Sequence, residues 1–567
     1  MNRLLIGLSC LILFLPLTLG AQDQSRLNGI IVDSEGNPMP GAVAMVLSSG
    51  TGTIAGEDGS YTLNGLKKGD EIQFDCIGFI AQTFIFDGTP VHNVVMHLAS
   101  ETLEDVVVVG YGSQKKVSVT GALSQIKPGV LESKPAVTLS SILGGSMPGI
   151  ITRQSTGEPG NDYATIFIRG MATWQDKSPL VMVDGVERDL NLINTQEIES
   201  FTILKDASAT AVYGVRGANG VILINTKKGT MGKPKVVLRS ESAVLQGLRF
   251  PQYINGYEFA SLMNEAVTHA TNGTGMLPWT EDDLTKFKDG SDPYGHPDVN
   301  WIDEILNKEA YQTINNLNIS GGNELIRYFM NVGYTSQTGL FKEDPNYEYR
   351  TNSKSDRYNF RATTDVNVTK NLVFSMSLGA ICQDKTYPGT ASSTIFQQMR
   401  QVSPIEMSVR NPDGTPGAGA SAIVLNPWAL STQTGYSKQF LTTVQSTANF
   451  NWDLSNLVTK GLSLSGKFSY DMYYANYNNR YIAYEMKRLI GFDENGEAMY
   501  NQIREQGSMG FSVSNSSNRS YYYDLALNYA REFGKHNVSG MILLNRRDYK
   551  NLTARSEEHT SELQSLY

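Results

Sequence analysis

Several stretches of the chain carry residue types that can do chemistry, and their spacing decides whether they could. Gly414-Thr-Pro-Gly-Ala-Gly-Ala-Ser421 has the glycines of a phosphate-cradling loop. It lacks the lysine that reaches the phosphates, and it follows Asn411-Pro-Asp-Gly rather than a strand. Gly144-Gly-Ser-Met-Pro-Gly149 misses the spacing of a nucleophile elbow, because Pro148 stands where the second glycine is needed. The six histidines, at 92, 97, 269, 296, 536 and 559, include no His-Glu-x-x-His, and His92 with His97 alone makes no zinc site. Glu281-Asp282-Asp283 follows Thr280 and reads as the first turn of a capped helix in preference to an acid/base pair. This pattern predicts no catalytic residues, no metal site, no cofactor and no enzyme. The residues left to explain are four consecutive valines and a set of charges and glycines between 169 and 220.

The valines are Val106, Val107, Val108 and Val109, followed by Gly110, Tyr111 and Gly112. A buried strand is the ordinary use of such a run. Here it lies between two globular segments, with Glu101, Glu104 and Asp105 before it, so it can remain a flexible, unpaired strand. A partner sheet captures such a strand through main-chain hydrogen bonds.

The elements around these residues are mostly short strands. From Leu27 to Leu98, β-prone runs (Gly29 to Val32, Ala42 to Leu47, Ser60 to Leu63, Ile72 to Phe74, Gln82 to Phe86, Val91 to Leu98) alternate with turn signals such as Glu57-Asp58-Gly59, predicting a small β-sandwich over 26–99. Residues 100–116 form a linker and 117–230 a second compact unit. In that unit Asp206 to Tyr213 read as a short helix, Gly214, Gly217 and Gly220 as a bend with close backbone approach, and Val221 to Thr226 as a buried strand. Arg169, Lys205, Asp206 and Arg216 are expected to face a polar wall and brace the unit against it.

From 231 to 554 the chain alternates greasy and wet residues. Phe440, Val444, Ala448, Phe450 and Trp452 share one face, and Thr443, Gln445, Thr447 and Asn449 the other. Tyr358, Phe360, Ala362 and Val366 alternate likewise with Arg357, Asn359, Arg361 and Asp365, and Leu464, Phe468, Tyr470 and Met472 with Ser465, Lys467, Ser469 and Asp471. Alternation alone also fits a soluble sandwich. Strands of ~10 residues or more, tyrosine clusters (Tyr473, Tyr474, Tyr477, Tyr481; Tyr521, Tyr522, Tyr523), and short turns opposite long polar loops (Pro251 to Lys308, Tyr387 to Lys438) favour a membrane barrel. Roughly ten strands can be read, where plugged transporters close with about 22.

Composition agrees with this picture. A net charge of −9, pI near 5.4 and no basic stripe argue against nucleic acid. Residues 1–21, with Arg3, the apolar run Leu4 to Leu19 and the small Gly20-Ala21, have the arrangement of a cleaved signal peptide, so the mature protein is exported. Cys10 lies inside that run, and Cys76 and Cys382 fall in different domains, so no disulfide framework is expected. The tail 555–567 includes Arg555-Ser-Glu-Glu-His-Thr-Ser-Glu-Leu-Gln-Ser565, which looks like a translated sequencing-library adapter on a truncated gene and is set aside.

Three groups of words carry a resemblance. Gly29-Ile-Ile-Val-Asp, Pro38-Met-Pro-Gly-Ala42 and Cys76-Ile-Gly-Phe79 resemble a carboxypeptidase-regulatory-like domain. Glu104-Asp-Val-Val-Val-Val-Gly-Tyr-Gly112 resembles the TonB box of the SusC/RagA family. Ile166-Phe-Ile-Arg169-Gly, Pro179-Leu-Val-Met-Val-Asp184-Gly185 and Ile198 to Gly229, which contains Lys205, Asp206, Tyr213, Gly214, Arg216, Gly217, Asn219 and Gly220, resemble that family's plug. The resemblance implies a mainly β protein of the cell outer membrane: β-sandwich, α+β plug and part of an antiparallel barrel set in outer-membrane lipid. It also implies TonB-dependent import of an oligomeric glycan, or less readily a peptide, with TonB, its inner-membrane energising complex and a SusD-like lipoprotein as partners. A TonB-linked signalling receptor would need an extra N-terminal domain, for which Ala21 to Leu27 leaves no room, and an exported adhesin would have no use for the plug words.

Overall fold

The computed structural model describes residues 25–96, 106–109, 112–115, 123–551 and 560–562, except 34–35, 77–78, 127, 135–136, 171–176, 422 and 535. The leader, Gly110, Tyr111 and most of the 555–567 tail therefore lie outside the described residues. The chain divides into two compact units, 1–120 and 121–567.

The first unit contains β1 (Ser25–Asp33), β2 (Val43–Val46), β3 (Gly52–Ile54), β4 (Ser60–Leu66), β5 (Glu71–Asp75), β6 (Gln82–Ile85) and β7 (Val94–Met96). They form two sheets, β4-β1-β7 and β3-β2-β5-β6, which enclose Leu27, Ile31, Tyr61, Ile72, Phe74 and Phe86. Six of the seven strands follow the sequence pattern. The short β3 was hidden because its Gly52-Thr-Ile54 has no apolar alternation. His92 stacks on Phe84 with ring centroids 3.9 Å apart, so its aromatic packing accounts for it without a metal. The four valines form β8 (Val106–Val109), which pairs with β9 (Gly112–Lys115) in a two-stranded sheet. They are thus not unpaired as expected. The run of valines by itself carries no sign of this partner, because Gly112-Ser-Gln-Lys115 has no apolar alternation. A lone hairpin is marginally stable, and among the described residues no third strand covers β8's outer edge.

In the second unit, β10 (Leu123–Ile126), β13 (Leu180–Val183), β14 (Val186–Glu187), β15 (Ile198–Leu204) and β16 (Val221–Thr226) build a mixed sheet in the order β10-β15-β16-β13-β14. A separate hairpin, β11 (Ile150–Gln154) with β12 (Ala164–Ile168), packs with helices α1 (Pro128–Glu132) and α2 (Leu139–Ile142) on the core of Leu131, Leu139, Ile142, Phe201 and Ile222. Asp184 and Gly185 join β13 to β14 with both φ angles positive (51° and 77°), the conformation a tight two-residue hairpin requires.

The remaining strands make one antiparallel sheet: β17 (Gly232–Leu245), β18 (Ala310–Gly322), β19 (Ile326–Thr338), β20 (Lys354–Thr369), β21 (Leu372–Pro388), β22 (Gly435–Asp453), β23 (Leu462–Tyr481), β26 (Gly510–Phe533), β27 (His536–Asn551) and the three-residue β28 (Thr560–Glu562). A separate hairpin, β24 (Met486–Phe492) with β25 (Ala498–Arg504), rises from the loop between β23 and β26. Connections at one end are short (323–325, 370–371, 454–461, 534–535), and at the other they are the long segments 246–309, 339–353, 389–434 and 482–509. No helix among the described residues is long and apolar enough to cross a membrane.

The sheet is inverted relative to a soluble one. On β20 the buried side chains are Ser355, Arg357, Asn359, Arg361, Thr363 and Asp365, and the more exposed ones are Tyr358, Phe360, Ala362 and Val366. The same holds across β21 and β22, where Gln383, Lys385, Gln445 and Thr447 are buried while Phe374, Met376, Phe440 and Trp452 are exposed. Only a lipid surround makes this arrangement favourable. The tyrosine clusters divide between the faces, since neighbouring residues on a strand point opposite ways: Tyr474, Tyr521 and Tyr523 share the apolar face of Phe468, while Tyr473, Tyr477 and Tyr522 share the face of Ser469. The tyrosine clusters therefore do not all lie on the apolar face.

Met376, half exposed on the apolar face, offers a test. Met376→Arg should destabilise the protein in lipid vesicles by about 2–4 kcal/mol near the midplane. A denaturant midpoint unchanged from the parent would show that this face does not meet lipid.

Candidate functional site

The polar face of the sheet meets the plug. Arg188, just after β14, donates from Nε and Nη2 to the two carboxylate oxygens of Asp471 on β23 (both 2.8 Å), and Nη2 also reaches Thr447 Oγ1 (2.9 Å) and Ser469 Oγ (3.0 Å). Glu197, just before β15, accepts from Arg361 Nε at 2.6 Å, with side chains only 2% and 1% exposed. Arg361 Nη2 continues to Gln445 Oε1 (3.0 Å). Gly379, the cross-strand partner of Arg361, leaves room for the guanidinium, since a Cβ there would stand 3.3 Å from Nη2. Lys467 donates to the Asp184 carbonyl (2.6 Å), and the Asp184 carboxylate accepts from the Thr226 amide (2.9 Å) and hydroxyl (2.8 Å).

The motif charges sit differently from expectation. Arg169 pairs with Asp206 at 2.5 Å, and Lys205 donates to the Pro148 carbonyl, so all three tie one part of the plug to another. Burial and the Arg169 charge hold the Lys205 ammonium below the usual lysine value. Only Arg216 lies near the wall, through Glu187, which it shares with Arg547 of β27. The correction has a physical cause. Arg169 ends β12 with φ of 57° and Asp206 is the N-cap of α3 (Ala207–Thr210), and both lie at the ends of plug elements that face each other. The helix reading holds for α3 and the 3-10 turn Ala211–Gly217, which kinks at Gly214. Tyr213 is buried there, Gly217 lies against the Thr210 carbonyl, and Gly220, at φ of 88°, packs on Ile168 where a Cβ would clash. Asn219 Nδ2 lies 3.5 Å from the Ser178 carbonyl. The residues that do join plug to wall, Arg188, Glu197, Arg361 and Asp471, were not singled out. Arg361 and Asp471 are legible in the sequence only as charges on the wet face of alternating strands, and Arg188 and Glu197 carry no local signal.

At the long-loop end a cavity of about 1000 Å³ lies between the plug loop 155–161 and the strand ends. The plug loop is fixed to the wall by Glu158 with Ser353 Oγ (3.2 Å) and Ser392, Lys385 Nζ with the Gly160 carbonyl (2.5 Å), and Tyr387 Oη with the Pro159 carbonyl (2.9 Å). Below them Asp162 is buried, which pushes its carboxyl up against the opposing charges of Lys385 and Arg357. The long segments pack on one another through Trp301, Ile305, Phe341, Ile395, Trp428 and Tyr484. Trp301 and Trp428 are therefore loop core, and Trp279 stacks edge-on against Phe287.

The comparisons with known proteins agree with this geometry. Residues 115–221 match the TonB-dependent Receptor Plug Domain, and residues 27–109 the CarboxypepD_reg-like domain. TonB-dependent receptor P3 of Formosa agariphila is 28% identical over 75% of this chain and 40% of its own length. TonB-dependent receptor SusC of Bacteroides thetaiotaomicron is 32% identical over 58% of this chain and 32% of its own. The RagAB peptide importer in its open-open state superposes with a TM-score of 0.61 at 19% identity, over 81% of this chain and 53% of that one, a likeness of fold. Plug match and inverted sheet together support a TonB-dependent receptor. Within that class the chain is similar to the SusC/RagA type, and it spans less than half the length of the curated relatives it matches.

Two predictions follow from the buried pairs and the loop caps. Arg361→Met should cost about 3–5 kcal/mol by leaving Glu197 buried without its cation, and adding Glu197→Gln should recover most of it. Urea midpoints of the plug, read by limited proteolysis, distinguish this from a pair of independent losses. In the loop, α4 (Glu281–Asp289) begins at Thr280, whose hydroxyl and amide, with His296, hold the Asp283 carboxyl down to about 2. A depressed acid stabilises above its unfolded value near 3.8 and loses that contribution as pH falls towards 2. The protection factors of the 281–289 amides, measured against intrinsic exchange at each pH, should fall across that window, and a flat profile would contradict the assignment.

Proposed function

We propose that the protein imports an oligomeric nutrient, a glycan in preference to a peptide, across the outer membrane. TonB grips the Val106 to Gly112 segment from the periplasm, and a SusD-like lipoprotein closes over the long-loop side. The observation that carries this reading is a plug fixed to the polar face of an inverted sheet by a few buried ion pairs, with a cavity above it at the long-loop end. Such pairs hold a plug shut yet exchange partners when it is pulled. A barrel plugged in this way needs work to open, and the outer membrane has no gradient of its own, so the work arrives through a peptide handle. β8 suits that role because one of its edges carries main-chain groups unclaimed by β9, and a partner strand extends such an edge.

Proline substitution tests the handle. Val107 and Val108 direct their N–H groups to opposite edges of β8, so one of Val107→Pro and Val108→Pro removes a donor from the edge the partner uses. Energised uptake should fall to background in at least one variant, with substrate binding to the purified protein unchanged. Full uptake in both would sink the assignment.

A further inference from the structure

We infer that the lumen wall above the plug is a binding surface for an uncharged, polyhydroxylated oligomer, an oligosaccharide without acidic groups. The inference rests on the import reading and adds the surface and its charge selectivity. Asp471, which holds Arg188, fixes which face of β23 looks into the lumen. Above it the same face of β22, β23 and β26 rises in aligned rows: Thr443–Tyr473–Asn518, Leu441–Ala475–Ser516, Gln439–Tyr477–Ser514, Ser437–Asn479–Ser512 and Gly435–Tyr481–Gly510. None of these positions carries a charge. Hydroxyls, amides and three tyrosines make up most of the wall, and at about 3.3 Å per residue it climbs roughly 25 Å.

The wall runs into the cavity, which Ser437, Gln439 and Asn479 also line. The charges nearest to it are accounted for or peripheral. Lys385, beside Gln439, is buried and donates to the Gly160 carbonyl. Glu158 accepts from Ser353, Ser392 and Asn161. Arg400 is exposed on α5 (Ser392–Gln401) at the cavity border. Tyrosine rings offer flat apolar faces with a hydroxyl at the edge, and serine and amide groups both donate and accept, which suits a ligand rich in C–H faces and hydroxyls. A carboxylate or sulfate on the ligand would lose its hydration here and meet no fixed cation. A peptide would bring charged termini to the same neutral surface.

The test titrates the purified full chain with neutral hexose oligosaccharides, with uronic acid oligosaccharides of matched length and with a mixture of short peptides. Neutral oligosaccharides should bind at least tenfold more tightly than either other set. Tyr477→Ala should weaken them about tenfold, the scale of one lost aromatic contact, whereas Tyr477→Phe keeps the ring and most of the binding and guards against misfolding. Gln439→Lys should move the preference towards uronates. Uronates or peptides binding as well as neutral sugars, no binding by any of the three, or a Tyr477→Ala variant equal to the parent would each overturn the inference. Uptake in cells separates it from the import reading: TonB-dependent uptake of acidic oligomers or peptides defeats the wall and leaves import standing. Neutral sugars bound in vitro but taken up equally without TonB defeat import and leave the wall standing.

Discussion

Everything in the second unit depends on where the polar face of the large sheet finds its partners. In water a sheet hides its apolar face and pairs its charges with solvent. Here Arg357, Arg361, Asp365 and Lys385 are buried and Met376, Phe374 and Leu544 are exposed, so the charges need partners inside the protein. The plug supplies them: Glu197 for Arg361, Arg188 for Asp471, and the Asp184 carbonyl for Lys467. Without the plug these groups would face an aqueous lumen, and with it they are desolvated and held by direct hydrogen bonds. Removing one member of such a pair costs more than removing both, which makes the plug–wall seam specific about its partner.

That seam is strong in geometry and modest in net energy, a combination that suits a closure meant to open. Desolvation offsets much of the attraction between buried charges, so the seam fixes register and yields to an applied load. The charges of the plug motif work elsewhere. Arg169 with Asp206 and Lys205 with the Pro148 carbonyl join the base of the β11–β12 hairpin to the start of α3, while the tip of that hairpin, 158–160, is fixed to the wall beneath the cavity. One rigid hairpin therefore touches the cavity at one end and the motif helix at the other.

The loops at the far end are built as a small fold of their own. Their capped helices and shared core of Trp301, Phe341, Trp428 and Tyr484 give them fixed positions over the cavity. Trp301 and Trp428 are consumed by that core, and the tyrosines that face the lumen come from the strands below. Loop tryptophans need somewhere to hide their rings, and a long loop with several of them makes its own interior.

The sequence by itself determined the kinds of elements and most of their places. Period-two alternation gave the sheet and the membership of its two faces, Thr280 with Asp283 gave a capped helix, and Gly217 and Gly220 gave close approach. Each of these is a local rule in which a residue constrains its neighbours. Which face lies inward, which charge meets which, and whether the four valines stay single were decided only in the tertiary structure. Arg361 and Glu197 are 164 residues apart, Arg188 and Asp471 283 apart, and no local spacing relates them. The motif charges went to plug partners instead of the wall because the ends of β12 and α3 converge in space, and the valines gained β9, a pairing that no spacing within the run itself announces.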